Sequence, residues 1–166
     1  MPRFDPEAMF RVLADQGVEY VIIGGLAATL HGSPLRTGDA DICPSRDAQN
    51  LTRLAAALRA MDARIRSADV ADGLPFACDA AFFRTIELVN LVTRFGDLDV
   101  AFIPSGTQGY TDLRPNSVEY DLAGLVVPVA ALADVIRSKE SANRARDHAA
   151  LPTLRALLAR TKTSKP

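Results

Sequence analysis

Two stretches decide the fold of this chain: Val21-Ile22-Ile23-Gly24-Gly25, and then Arg36-Thr37-Gly38-Asp39-Ala40-Asp41-Ile42. The first ends a short apolar run, Val18 to Ile23, that reads as a buried strand. Two glycines follow it, then a short helix over Leu26 to His31, which Gly32-Ser33-Pro34 breaks. The second stretch alternates and predicts a strand over Thr37 to Cys43, stopped by Pro44. Side chains two apart on a strand share a face, so Asp39 and Asp41 project together. Asp97 and Asp99 repeat the spacing on a second predicted strand, Asp97 to Ile103. That strand forms a hairpin with Ile86 to Thr93 through Arg94-Phe95-Gly96.

Carboxylates inside strands are unusual, because Asp is a poor strand former and its charge resists burial. Two such pairs repel one another if they face each other, and a divalent cation relieves that repulsion. Mg²⁺ is hard, takes oxygen ligands, and commonly combines a few carboxylates with substrate phosphates. The competing reading makes each Asp a strand-end cap, and a single Asp-x-Asp occurs often by chance. Gly24-Gly25 lies where a strand hands over to a helix, which lets the backbone approach a phosphate. It matches neither the P-loop, having no Gly-Lys-Ser/Thr, nor the Gly-x-Gly-x-x-Gly fingerprint.

Outward from these stretches, Asp5-Pro6-Glu7 starts a helix that presents Phe10, Leu13 and Ala14 and stops at Gly17. Ser45 caps a helix carrying Leu51, Leu54, Ala55 and Leu58. Ala63 to Arg66 is a short strand, Asp69 to Pro75 a loop, and Asp79 to Arg84 a helical turn. Ser105 to Asn116 is a loop with one helical turn, and Val118–Leu122 and Leu125–Val127 are short strands. Ala130 to Ala142 and Arg146 to Arg160 form a C-terminal helical pair, with Pro152 placed to kink the second or move its start. Strands and helices mix without strict alternation, so the fold class is α+β, a mixed sheet flanked by helices. One domain is expected over residues 1–160, followed by a frayed tail at 161–166.

Composition narrows the function classes. Apolar residues make up 48% of the 166, enough for a core without disulfide or metal staples. Two cysteines, Cys43 and Cys78, fit a reducing compartment. No apolar run approaches about 20 residues, and the start lacks a leader pattern, so a soluble cytoplasmic protein without a membrane role is expected. The net charge of −1 hides an asymmetry. Residues 1–133 hold 11 basic and 17 acidic side chains, and residues 134–166 hold 8 and 3. An acidic body thus offers carboxylates to a metal, and a basic tail offers cations to phosphate or simply a solvated helix face. On one continuous helix, Lys139 and Arg146, seven apart, share a face, while Arg144 aligns less well.

Taken together these residues resemble the DNA polymerase beta-like nucleotidyltransferase superfamily, and among its small bacterial members the AbiEii-type toxin nucleotidyltransferases. The resemblance rests on Val21–Gly25, Arg36–Ile42, Gly96-Asp97-Leu98-Asp99-Val100, and Lys139, Arg144 and Asp147 before a final apolar helix. It implies a mixed sheet flanked by helices and transfer of a nucleoside monophosphate from an NTP, with Mg²⁺ or Mn²⁺, to an acceptor hydroxyl. By that resemblance Asp39, Asp41 and Asp99 are the catalytic and metal-binding carboxylates, with Asp97 the alternative for the third. Gly24, Gly25, Arg36 and Thr37 would approach the nucleotide, Lys139 and Arg144 its phosphates, and Asp147 would orient those cations. Asp39 and Asp41 would bridge two metal ions, and Asp99 would complete one site and take the acceptor's proton. Two features depart from the pattern: many members carry Gly-Ser where this chain has Gly-Gly, and Ala40 is small where a larger apolar residue is common.

The resemblance implies NTP as a partner, a tRNA, protein or small-molecule acceptor, and a cognate toxin or antitoxin. The rival reading is a catalytically weak binding protein of the same fold, an antitoxin or nucleotide sensor. Other residues are expected in ordinary roles: His31 structural, His148 exposed, Cys43 and Cys78 buried, and Phe82 and Phe83 in core packing. Asp112, Glu119 and Asp121 read as loop or strand-edge charges.

Overall fold

The computed structural model describes residues 3–164. Met1 and Pro2, within the start read as lacking a leader pattern, and Lys165 and Pro166, within the tail expected to fray, lie outside them. The elements run α1 (Pro6–Asp15), β1 (Tyr20–Ile23), α2 (Gly24–Leu30), β2 (Asp39–Pro44), α3 (Ala48–Ala60), β3 (Arg64–Ile65) and α4 (Ala80–Thr85). Then follow β4 (Leu88–Thr93), β5 (Gly96–Ala101), α5 (Tyr110–Leu113), a 3₁₀ turn at Arg114–Asn116, β6 (Val118–Leu122), β7 (Leu125–Val129), α6 (Leu132–Ala142) and α7 (Ala145–Thr163). All seven strands join one sheet in the order β3-β4-β5-β2-β1-β7-β6. The sheet is mixed, since β2 runs parallel to β5 and β1 parallel to β7, while the remaining neighbours are antiparallel. The expected α+β class and the C-terminal helical pair are both present.

Strand alternation sorts the two faces. Ala40, Ile42, Leu98 and Val100 are fully buried and join α1 (Met9, Phe10, Leu13) and α3 (Leu51, Leu54, Leu58) in one apolar cluster. Asp39, Asp41, Asp97 and Asp99, the intervening residues, point to the other face. Ala40 is small but leaves no solvent-accessible surface.

Several local expectations are corrected. Ser45 does not cap α3; Asp47 does, its carboxylate accepting from the N–H groups of Gln49 and Asn50 at 3.0 and 3.3 Å. A carboxylate at that position meets two orphan donors where one hydroxyl commonly meets one. The break expected after Ala142 is present, so Lys139 and Arg146 do not share one continuous helix. Asn143 adopts the left-handed conformation (φ 54) and ends α6, a stop that Asn tolerates better than most residues. Pro152 lies inside α7 rather than at its start, and the helix continues to Thr163, into the segment expected to fray. Among the described residues no helix is long and apolar enough to cross a membrane.

Candidate active site

Gly24 closes β1 and opens α2 with φ +66, a conformation that disfavours any Cβ. A Cβ there would stand 2.5 Å from Asp41 Oδ2, so glycine is required twice over, by backbone and by space. At Gly25 a Cβ would stand 3.0 Å from Thr37 Oγ, so the room a side chain would use is already filled by that hydroxyl. Thr37 Oγ donates to the Asp39 carboxylate at 2.8 Å and fixes its orientation.

The carboxylates meet because β2 and β5 pair in parallel, Asp39 opposite Asp97 and Asp41 opposite Asp99. Antiparallel β4 places Asn90 beyond Asp99 in the same row. Adjacent strands lie about 4.8 Å apart, so four like charges share one small patch. Burial, then the charges of Asp39 and Asp99, push the Asp41 carboxyl up to about 7, while Lys139 and Arg146 pull it down. Burial also raises Asp99, against hydrogen bonding from Asn90 and the charge of Arg66.

Opposite stands the α6–α7 elbow. Asp147 is fully buried, and its carboxylate binds the Arg144 guanidinium at 2.6 and 3.2 Å, the Arg144 N–H at 3.2 Å, and Lys139 Nζ at 3.6 Å. Burial acts to raise this carboxyl. The Arg144 hydrogen bonds and the two cations outweigh it, and the net shift is downward. Asp147 thus works as a hub that holds two cations at the elbow.

A cleft of about 590 Å³ lies between these walls. Asp39, Asp41 and Asp99 line its floor, Gly24, Gly25 and Thr37 one wall, and Lys139 and Arg144 another. Asp147 sits behind the cations, and Asp97 does not line the cleft, so of the two candidates for the third acid Asp99 is the one placed there. Arg36 is exposed on the loop before β2 and does not line the cleft. Arg146 lines it although it was not among the expected site residues. Its spacing from Lys139 was a visible signal, with the continuous helix as the wrong reason. Arg66, which pairs with Asp99 and Asp97 but does not itself line the cleft, carried no local signal: it follows a two-residue strand and meets Asp99 only through sheet register.

Most residues held in ordinary roles stay there, with two corrections: Cys78 is half-buried rather than buried, and Asp112 lies in α5, where its carboxylate pairs with Arg137 at 3.1 Å. His31 Nε2 meets the Ala130 carbonyl at 2.8 Å and its Nδ1 the Tyr120 hydroxyl at 2.9 Å, tying α2 to the β6–β7 edge. Phe83 is fully buried, with Phe82 packed edge-on against it. Cys43 is buried in the core, and its thiol is pushed up to about 12 by that burial.

Asp39 and Asp41 suit a hard divalent cation: both are oxygen donors on one face, and Asp41 is crowded by the like charges of Asp39 and Asp99, which a cation would relieve. Asp99 fits less well, because Arg66 already occupies one of its oxygens. Among the described residues no three His, Cys, Asp or Glu side chains gather in a way suited to a metal ion.

No family model matches the chain, and no curated protein matches it in sequence. Solved structures do match in shape. The lincosamide antibiotic adenylyltransferase LnuA with lincomycin bound is 16% identical, with a TM-score of 0.61, covering 93% of this chain and 99% of its own. A Thermotoga maritima protein, provisionally assigned as a nucleotidyltransferase, is 17% identical with a TM-score of 0.53, covering 96% and 97%. At this identity the likeness is one of fold: the sheet and its helices have the nucleotidyltransferase architecture.

Proposed function

We propose that this chain is a nucleotidyltransferase that moves a nucleoside monophosphate from an NTP to a hydroxyl of a small acceptor and releases pyrophosphate. One observation carries the reading: the Asp39, Asp41 and Asp99 carboxylates face Lys139, Arg144 and Arg146 across a single cleft. Acids on one wall and cations on the other suit a triphosphate with a divalent counter-ion. Mg²⁺ or Mn²⁺ on Asp39 and Asp41 would neutralise charge at the α-phosphate. Gly24 and Gly25 leave the backbone bare for close approach of the phosphates. Lys139 and Arg146 balance the charge that builds on the departing pyrophosphate. Asp99 takes the acceptor's proton as the acceptor oxygen bonds to the α-phosphorus, and the α–β bridging bond breaks with its electron pair leaving on pyrophosphate.

Cleft size supports a small acceptor, since about 590 Å³ lies within the range that holds small ligands. A match that spans nearly the whole of a lincomycin-bound adenylyltransferase adds support of the same kind. A second reading, a nucleotide-binding protein with weak or no turnover, draws on the ion pair that already neutralises Asp99. Incubation with each α-labelled NTP, Mg²⁺ and cell extract separates them. Label in the small-molecule fraction, absent with Asp39→Ala and Asp41→Ala, is the expected outcome. Label on RNA or protein would redirect the acceptor toward a macromolecule, as the resemblance to toxin nucleotidyltransferases implies. NTP binding without any transfer would support the second reading.

A further inference from the structure

The side chain that meets Asp99 is a cation supplied by the chain itself. The Arg66 N–H donates to the Asn90 carbonyl at 2.9 Å and extends the β3–β4 ladder by one residue. That register aligns Arg66, Asn90, Asp99 and Asp41 in one row across the sheet. Two strand spacings, about 10 Å, separate the backbones of Arg66 and Asp99, a gap that an extended arginine and an aspartate close together. Arg66 Nη2 hydrogen-bonds Asp99 Oδ1, and Nη1 lies 3.5 Å from Asp97 Oδ2. The Arg66 Nε is buried with no partner. An unmet buried donor is unfavourable, so the two carboxylates are what hold the guanidinium in place.

We propose that Arg66 stands where a second metal ion would otherwise sit at Asp99, so that the chain holds one divalent cation, on Asp39 and Asp41. The inference rests on the nucleotidyltransferase reading and specifies its metal requirement. A carboxylate oxygen already accepting from a guanidinium is a poor ligand, and a fixed positive charge beside it repels a divalent ion. Arg66 is then a positioning residue: it neutralises Asp99 and aims it at the acceptor.

The test counts ions rather than turnover. The intact chain, free of nucleotide so that no triphosphate chelates the metal, is titrated with Mn²⁺ while free Mn²⁺ is followed by electron paramagnetic resonance. The wild type is expected to bind one Mn²⁺ per chain and Arg66→Ala two, with Arg66→Lys returning to one because the charge is restored. Circular dichroism melts check folding, and Arg66→Gln, which keeps more of the side chain's bulk, replaces Arg66→Ala if that variant does not fold. Two ions in the wild type, or one in the wild type and in both neutral variants, would overturn the inference. No bound ion in the wild type would remove the nucleotidyltransferase reading itself, and this inference with it.

Discussion

Replacing Asp41 by asparagine is expected to stabilise the metal-free protein, most of all above pH 7. Burial and the charges of Asp39 and Asp99 raise this carboxyl from 3.8 to about 7. A folded-state acid raised in this way favours folding while it is protonated. Its contribution is complete below about pH 4 and is lost as pH rises through about 7. At 1.36 kcal/mol per pH unit, the difference amounts to about 4 kcal/mol by pH 8. Asparagine resembles the protonated acid and has no such loss. Allowing for partial exposure and for relaxation of the neighbouring acids, Asp41→Asn should gain about 2–3 kcal/mol at pH 8 and almost nothing at pH 4.5. For a chain of this size that corresponds to a melting temperature higher by about 4–12 °C. Thermal melts in EDTA at pH 4.5, 6, 7 and 8 measure it. Mg²⁺ should then raise the wild type's midpoint more than the variant's, because binding to the native state alone adds stability. A variant that melts below the wild type at pH 8, or by the same margin at every pH, would refute the electrostatic reasoning.

Other perturbations separate the parts of the site. Gly24→Ala should lose about 1–3 kcal/mol in urea unfolding, combining positive-φ strain with the clash against Asp41, and Gly25→Ala clearly less. Asp147→Ala should lose about 2–3 kcal/mol at neutral pH, because it strands Lys139 and Arg144 and leaves the Arg144 N–H unmet. Its folded carboxyl lies below the usual range, so this difference is present above about pH 4 and should shrink as pH falls through the lowered value. Tyr120→Phe removes the partner of His31 Nδ1 and should lower stability by about 1 kcal/mol without changing nucleotide affinity by equilibrium dialysis.

The carboxylate strands were legible because charge inside an apolar alternation has few physical explanations. Both acid pairs, Asp39 with Asp41 and Asp97 with Asp99, could be named for that reason, with the choice of Asp99 over Asp97 resting on the resemblance, and Gly24 because a strand-to-helix turn needs its backbone freedom. Pairing of β2 with β5 was not legible, since strand register depends on a partner far along the chain. Arg66 was missed on similar grounds: its place beside Asp99 depends on the β3–β4–β5 register, and it follows a strand of only two residues. Arg36 was placed at the site by the resemblance of Arg36–Ile42, yet membership of that stretch does not turn a loop side chain inward. The helix stop was legible, since the first C-terminal helix was expected to end at Ala142, directly before Asn143, and the seven-residue spacing of Lys139 and Arg146 does not carry across that break.

The parallel pairing of β2 and β5 has a kinetic consequence. Asp39 and Asp97 are partners although 58 residues separate them along the chain. Closing so long a loop has an entropic cost before any contact rewards it, and here the contacts include mutual repulsion of carboxylates. That pairing should therefore form late, after the β4–β5 hairpin and the helix contacts that can support it. Asp39 and Asp41 share β2, but the cleft that would enclose an ion on them, lined by Asp99 of β5 and by Lys139 and Arg144, is complete only then. Mg²⁺ should accordingly leave the folding rate almost unchanged and slow unfolding, so that ligand occupancy governs how long the protein lasts rather than how fast it forms.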